Sequence, residues 1–346
     1  MDLGTKEYKW PSIEQWSEVY NIAAQIKKLS PWDHLWESNI FVIMLPNYEE
    51  PIYCSIMGRA GQCYAIGVYA GYESIRGFYR LSEATEKHNA VVTGFEQDCL
   101  MCFYGNREEV TKEDRQVFEK LNLKFRGRNA WIYFRAMDPG YLPWFIEHEQ
   151  CDLLIQVLGN LEIALAAYIN GEVKVDFDNN QLFCRSYSHE DESWHNKAIE
   201  ALPIPEEGLP IVAENELLLA QMRKQKNTGL QIEIEATYLP TPIQEDKVLR
   251  PYIPQLLLMV DKENGLVVAQ HLLNKGDDLS TELQVFLAFY VGEVGRPYSV
   301  NVRDRYVGRH LEDLCKKTGI KLIEGEGVPG VDDMMRDLIS VVDMMF

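Results

Sequence analysis

The last third of the chain carries the most restrictive pattern of secondary structure. Residues 255–261 (QLLLMVD) and 266–272 (LVVAQHL) are apolar segments on either side of a Lys-Glu-Asn-Gly turn, and they predict a β-hairpin. The pattern continues with a helix at about 279–291, a strand at 298–303, a helix at 306–317, a strand at 319–323 and a helix at 331–344. A hairpin followed by alternating helices and strands predicts a mixed sheet covered by helices.

A further strand precedes this hairpin, and it becomes the first strand of the predicted sheet. Residues 231–238 (QIEIEATY) alternate apolar and polar side chains, which is typical of a strand. Three antiparallel strands, 231–238, 256–261 and 265–272, then come before the first helix. This is the element order of a ribonuclease H-like core, and residues 229–346 are predicted to form such a C-terminal domain.

The first half predicts a separate α+β domain at 1–187. A helix begins after Ser12, whose partner Gln15 completes a capping box, and it ends before Pro31. Later segments predict an antiparallel meander with helices, and two short strands near 173–176 and 181–187 close the domain. The polar, proline-containing stretch 188–228 is predicted to be a connector with one helix. The fold class is therefore α+β.

The charge of the chain bears on its partners. The 346 residues carry a formal net charge of −19, with a pI near 4.8. Nucleic acids are bound largely through lysine and arginine, so this charge disfavours direct nucleic-acid binding and favours a protein or small-molecule partner. The sequence shows no signal peptide or membrane-spanning pattern, which predicts a cytoplasmic protein with no membrane partner. It leaves the oligomeric state open.

Three carboxylates occupy the positions that ribonuclease H-like nucleases use for catalysis. Such enzymes place acidic groups on the first strand, just after the fourth strand and on the last helix, where they hold two Mg²⁺ ions. The counterparts here are Glu235 (or Glu233), Asp304 and Asp337 (or Asp333). The alternative is that the two glutamates form only the solvent face of an edge strand. No cofactor is predicted unless the nuclease interpretation holds.

Arginines cluster beside Asp304. Arg303, Arg305 and Arg309 have the geometry to bind a phosphate or an acidic segment of a partner. The alternative is that they form ion pairs with neighbouring carboxylates such as Glu312.

The chain also resembles a known family. The segments Pro31–Trp36 (PWDHLW), Tyr53–Gly58 (YCSIMG) and Tyr64–Gly71 (YAIGVYAG) are similar to those of an uncharacterised bacterial two-domain family. Residues from Leu256 to Asp333 look like its companion domain. The resemblance implies no activity. The sequence thus favours a binding or interaction protein with a degenerate ribonuclease H-like domain; the alternatives are a metal-dependent nuclease and an acidic nucleic-acid mimic or inhibitor.

Overall fold

The computed structural model describes residues 8–83, 93–205, 209–239, 241–244 and 250–345. Contacts divide them into two compact units. The first unit lies within 1–82, 97–139 and 143–204, and the second within 83–96, 140–142 and 205–346. Both units combine a sheet with helices, so the predicted α+β class is confirmed.

The first unit contains a seven-stranded sheet in the order β5-β4-β3-β2-β1-β6-β7. Its strands are β1 Phe41–Met44, β2 Ile52–Met57, β3 Ala65–Ala70, β4 Cys99–Gly105, β5 Trp131–Met137, β6 Gln181–Ser188 and β7 Ser193–Glu200. Its helices are α1 Ile13–Leu29, α2 Tyr72–Glu83, α3 Lys112–Lys120 and α4 His148–Ile169. Neighbouring strands are antiparallel except β1 and β6, which are parallel. The predicted meander is thus β1 to β5.

Helix α1 starts where the sequence predicts, because Ser12 and Gln15 form the expected reciprocal cap. It packs with α4 on the main core of this unit. Among the described residues, α4 is the one helix whose length and composition would allow it to cross a membrane. Its buried side chains, which include Leu154, Leu158 and Leu161, contribute to that core.

The end of the first unit differs from the prediction. Residues 173–176 form no strand, and the last strand is instead Ser193–Glu200, within the predicted connector. This strand pairs with Gln181–Ser188 along its whole length. Its alternation was hard to recognise because β7 is an edge strand whose side chains are all partly or fully exposed.

The second unit contains a five-stranded mixed sheet in the order β10-β9-β8-β11-β12. Its strands are β8 Gln231–Tyr238, β9 Gln255–Asp261, β10 Val267–Leu272, β11 Ser299–Val302 and β12 Lys321–Glu324. Its helices are α5 Glu216–Lys224, α6 Leu279–Glu293, α7 Arg305–Thr318 and α8 Pro329–Met345. β8, β9 and β10 are antiparallel, whereas β8, β11 and β12 are parallel. The element order predicted from the sequence is confirmed.

Strand β8 lies at the centre of this sheet and is covered on both faces. Ile232, Ile234 and Ala236 join the core formed with α5, α6 and α7. Glu233 and Glu235 lie on the opposite face and are also buried. The alternative prediction that these glutamates face solvent on an edge strand is therefore wrong, because β9 and β11 flank the strand and α8 covers that face.

Candidate functional site

The buried face of β8 carries two carboxylates with different partners. Glu233 is fully buried, and its Oε2 accepts hydrogen bonds from the backbone N–H groups of Gly330 (2.9 Å) and Val331 (3.2 Å). These groups lie in the first turn of α8, where backbone N–H groups have no partner within the helix. Glu233 therefore fixes the start of α8 on the sheet.

Burial also changes the acidity of Glu233. It raises the pKa of this carboxyl, although the two backbone donors and the Lys262 ammonium oppose the shift. The Lys262 Nζ donates to Asn301 Oδ1 at 3.0 Å, and Asn301 in turn donates to the Ile232 carbonyl at 3.1 Å. Polar contacts thus link the turn after β9 to β11, and β11 to β8.

The close approach of α8 to β8 requires a glycine at position 330. A Cβ placed there would lie 2.7 Å from Val260 Cγ1 and 3.0 Å from Glu233 Oε2. We expect Gly330→Ala to lower the free energy of unfolding by about 1–3 kcal/mol, since the stiff side chain of Val260 or the start of the helix must shift to admit the new methyl group. Urea denaturation would measure the change.

Helical Gly292 provides the matched control, because a Cβ there would meet no atom within 4 Å. Gly292→Ala should leave stability unchanged or increase it by about 0.5–1 kcal/mol. Equal losses in the two variants would contradict the assigned close approach.

Glu235 belongs to a second network, centred on Arg303. The Arg303 Nε lies 2.8 Å from Glu235 Oε2, and its Nη2 lies 2.5 Å from Asp332 Oδ1. Arg303 follows the last residue of β11, and Asp332 lies in the first turn of α8. One guanidinium therefore links the first strand of the mixed sheet to its last helix.

The environment of Glu235 shifts its titration towards neutral pH. Burial raises its pKa to about 7; Arg303 opposes this shift, whereas the charges of Asp304 and Glu96 reinforce it. The carboxyl at this position thus changes charge within the physiological range.

Asp304 has a local structural role. It is the N-cap of α7, where its Oδ1 accepts a hydrogen bond from the Tyr306 backbone N–H at 2.9 Å. It lies close enough to Glu235 to raise the pKa of that group. The structure thus brings together two of the three predicted catalytic residues, Glu235 and Asp304.

The other acidic candidates lie on α8. Asp337 is exposed, and Asp333 is exposed and forms an ion pair with Arg336 at 2.7 Å. The residue of α8 that joins the network is Asp332, which the sequence analysis did not select. The sequence feature that points to Asp332 is its position directly after Val331. Val331 and Met335 belong to the buried apolar stripe of α8. A side chain next to such a stripe lies at the edge of the contact with the sheet.

The three predicted binding arginines are in different environments. Arg303 is held between two carboxylates, as described above. Arg305 forms ion pairs with Glu312 and, at 3.0 Å, with Glu324. The Arg309 guanidinium lies 5.9 Å from the centre of the Tyr306 ring. The three side chains therefore contact different partners.

The residues present do not fit a two-Mg²⁺ centre. Mg²⁺ needs oxygen ligands in near-octahedral geometry, but the guanidinium of Arg303 already bridges the Glu235 and Asp332 carboxylates. Within the described parts of the chain, no group of three or more His, Cys, Asp or Glu side chains is arranged to hold a metal ion.

Comparisons with known proteins give two family matches. Residues 16–185 match the model "Domain of unknown function (DUF7309)", and residues 218–339 match "Domain of unknown function (DUF6930)". A search of curated proteins found no match.

Four chains of solved structures match. One is from the cryoEM structure of a simian T-cell lymphotropic virus intasome in complex with the PP2A regulatory subunit B56 gamma. The identity is 16%, the match covers 35% of this chain and 43% of that chain, and the TM-score is 0.24. The present chain thus spans less than half of that chain, and a likeness this weak carries no argument. The two family matches thus show two successive parts of the chain that are each similar to a domain of unknown function.

Proposed function

We propose that the second unit is a degenerate ribonuclease H-like domain, and that the protein is a cytoplasmic binding or interaction protein for a protein or small-molecule partner. The strand order, with three antiparallel strands followed by two parallel ones on the other side of the first, supports the fold assignment. One observation carries the functional proposal: Arg303 bridges Glu235 and Asp332.

An internal arginine changes what this face of the sheet can do. A metal-dependent nuclease needs carboxylates that are available to two cations, which activate water and stabilise the leaving oxygen. Here the guanidinium pairs with both carboxylates and fixes their positions, so the network connects β8, the residue after β11 and α8. The net charge of −19 adds to this argument, because a chain with that charge repels nucleic acid.

Divalent-metal binding tests the proposal. Millimolar MgCl₂ or MnCl₂ should change the melting temperature no more than NaCl of equal ionic strength, because a ligand stabilises a protein only when it binds the folded state. The same preparation should not cleave single- or double-stranded DNA or RNA in the presence of either metal.

An Asp304→Asn variant separates the proposal from the nuclease alternative. A saturable, metal-specific stabilisation of the wild type that this variant lacks would overturn the assignment as a non-catalytic domain. A Glu293→Gln variant is the matched control, because that carboxylate on α6 is exposed and is not one of the candidate metal-binding positions.

A further inference from the structure

Strand β10 forms one open edge of the mixed sheet. In the part of the chain that the structure describes, β9 is the strand that pairs with it. The Leu273 N–H donates to the Gln255 carbonyl at 2.9 Å, on the β9 side. Because these groups alternate along an antiparallel pair, Leu272 and Gln270 direct their N–H and C=O groups away from β9. The edge therefore presents backbone donors and acceptors to another strand.

The side chains of β10 offer little protection to this edge. Exposed edges are usually blocked by lysine, proline or a bulge. The strand VVAQHL contains neither lysine nor proline, and its bulge is confined to its start, between Val267 and Ala269. Val267, Val268 and Leu272 are each more than 40% exposed, and Leu266 is 63% exposed. Apolar side chains thus flank the open backbone.

Exposed apolar side chains also lie on helix α6, which contacts the strand through His271. The His271 Nε2 lies 3.2 Å from Glu282 Oε2, which connects β10 to this helix. Val285 and Phe289 follow Glu282 at three and seven residues, so the three lie on one helical face. Phe289 is 65% exposed and Val285 is 47% exposed. The edge of β10 and this face of α6 together form a surface that can bind a partner through backbone hydrogen bonds and apolar contacts.

Charge indicates which partner this surface can accept. The segment from Lys262 to Lys275 contains two lysines and one glutamate, a formal charge of +1 with histidine neutral, in a chain of net charge −19. A second copy of the chain therefore meets less repulsion here than on an average part of the surface. In an antiparallel pair, the Lys262–Glu263 end of one strand lies near the Lys275–Asp277 end of the other, so each end presents both signs of charge.

We propose that β10 pairs antiparallel with β10 of a second copy, which joins the two five-stranded sheets across a two-fold axis and covers Phe289. A two-fold interface places the same surface on both sides. The two Gln270 residues then lie opposite or diagonal to each other near the axis, with unpaired backbone groups available on both strands. This pairing is independent of the chemistry proposed for the Arg303 network.

Charge substitutions at Gln270 test this arrangement. The side chain is exposed, so Gln270→Glu and Gln270→Lys should leave the fold intact. Sedimentation velocity should show a wild-type dimer at an ionic strength of about 0.15 M, where charges are screened beyond about 8 Å. Each variant places like charges together across the axis, and we expect dimerisation to weaken by about tenfold or more.

An equimolar mixture of the two variants makes the test specific to antiparallel self-pairing. Opposite charges then meet across the axis, so a mixed dimer should form at concentrations where each variant alone is monomeric. Exposed Gln221 on α5 provides matched controls, because Gln221→Glu and Gln221→Lys change the net charge equally without touching β10. These controls should dimerise like the wild type.

Three outcomes would overturn the proposal. The first is a wild-type chain that stays monomeric up to near-millimolar concentration. The second is a dimer that responds equally to substitutions at Gln270 and Gln221, which would place the interface elsewhere. The third is a mixture of the Gln270 variants that dimerises no better than either variant alone, which would exclude the two-fold pairing of β10.

Discussion

Arg303→Met should lower the free energy of unfolding by about 3–5 kcal/mol at pH values of about 8, because it leaves two buried or partly buried carboxylates without their common cation. Without Arg303 the pKa of Glu235 rises further, so this buried carboxyl must either stay charged near Asp332 or take up a proton, and both cost free energy at this pH. Urea unfolding followed by circular dichroism would measure the loss.

Arg305→Met is the matched control for this substitution. Arg305 also contacts two carboxylates, but its pairs with Glu312 and Glu324 are partly exposed to solvent. Such pairs contribute about 0–1 kcal/mol, so the control should lose far less stability than Arg303→Met. Similar losses in the two variants would show that Arg303 is an ordinary surface residue in energetic terms.

The second large effect concerns the pH dependence of stability and its origin at Glu235. Burial raises the pKa of this carboxyl to about 7 from an ordinary value of 4.5. The folded state therefore holds a proton that the unfolded chain releases between these two values. The stabilisation from this group is fully present below pH 4.5 and is lost as the pH rises through about 7.

Glu235→Gln removes this titration. The stability of the variant relative to the wild type should increase by up to about 3 kcal/mol between pH values of about 5 and about 8. The groups that face Glu235 are Arg303, Asp304 and Glu96, and none of them is altered by the substitution. Parallel urea titrations of both proteins at the two pH values would measure the difference.

The surface carboxylate Glu312 gives the control for the pH experiment. Glu312→Gln should show a stability difference from the wild type that changes little between the same two pH values, since its side chain is 40% exposed and solvent screens its charge. A pH-independent difference between Glu235→Gln and the wild type would contradict the raised pKa of Glu235.

Much of the second unit could be predicted from residue patterns. The alternation of apolar and polar residues in β8 and the turn after Asp261 were sufficient to predict the order of the strands along the chain. Asp261 ends β9, and its side chain accepts a hydrogen bond from the Glu263 backbone N–H at 2.9 Å, so it stabilises the turn that follows this strand. Local signals of this kind depend on neighbouring residues, so the sequence contains them directly.

The site was less accessible to sequence reasoning because its contacts are distant in the chain. The alternation of β8 places Glu233 and Glu235 on one face, but only the docking of α8 shows that this face is buried. The predicted carboxylate on the last helix was Asp337 or Asp333, whereas the residue that contacts Arg303 is Asp332. A carboxylate on the last helix could be expected, but which turn of α8 meets Arg303 depends on the close approach at Gly330.

A double-mutant cycle between Arg303→Met and Glu235→Gln tests the central claim most directly, namely that Arg303 is the internal cation for Glu235. If the pair is coupled as the structure indicates, the double variant at pH values of about 8 should be about 1–3 kcal/mol more stable than the sum of the two single changes predicts. Additivity within about 0.5 kcal/mol would contradict the claim, because it would mean that the two side chains do not stabilise each other in the folded protein.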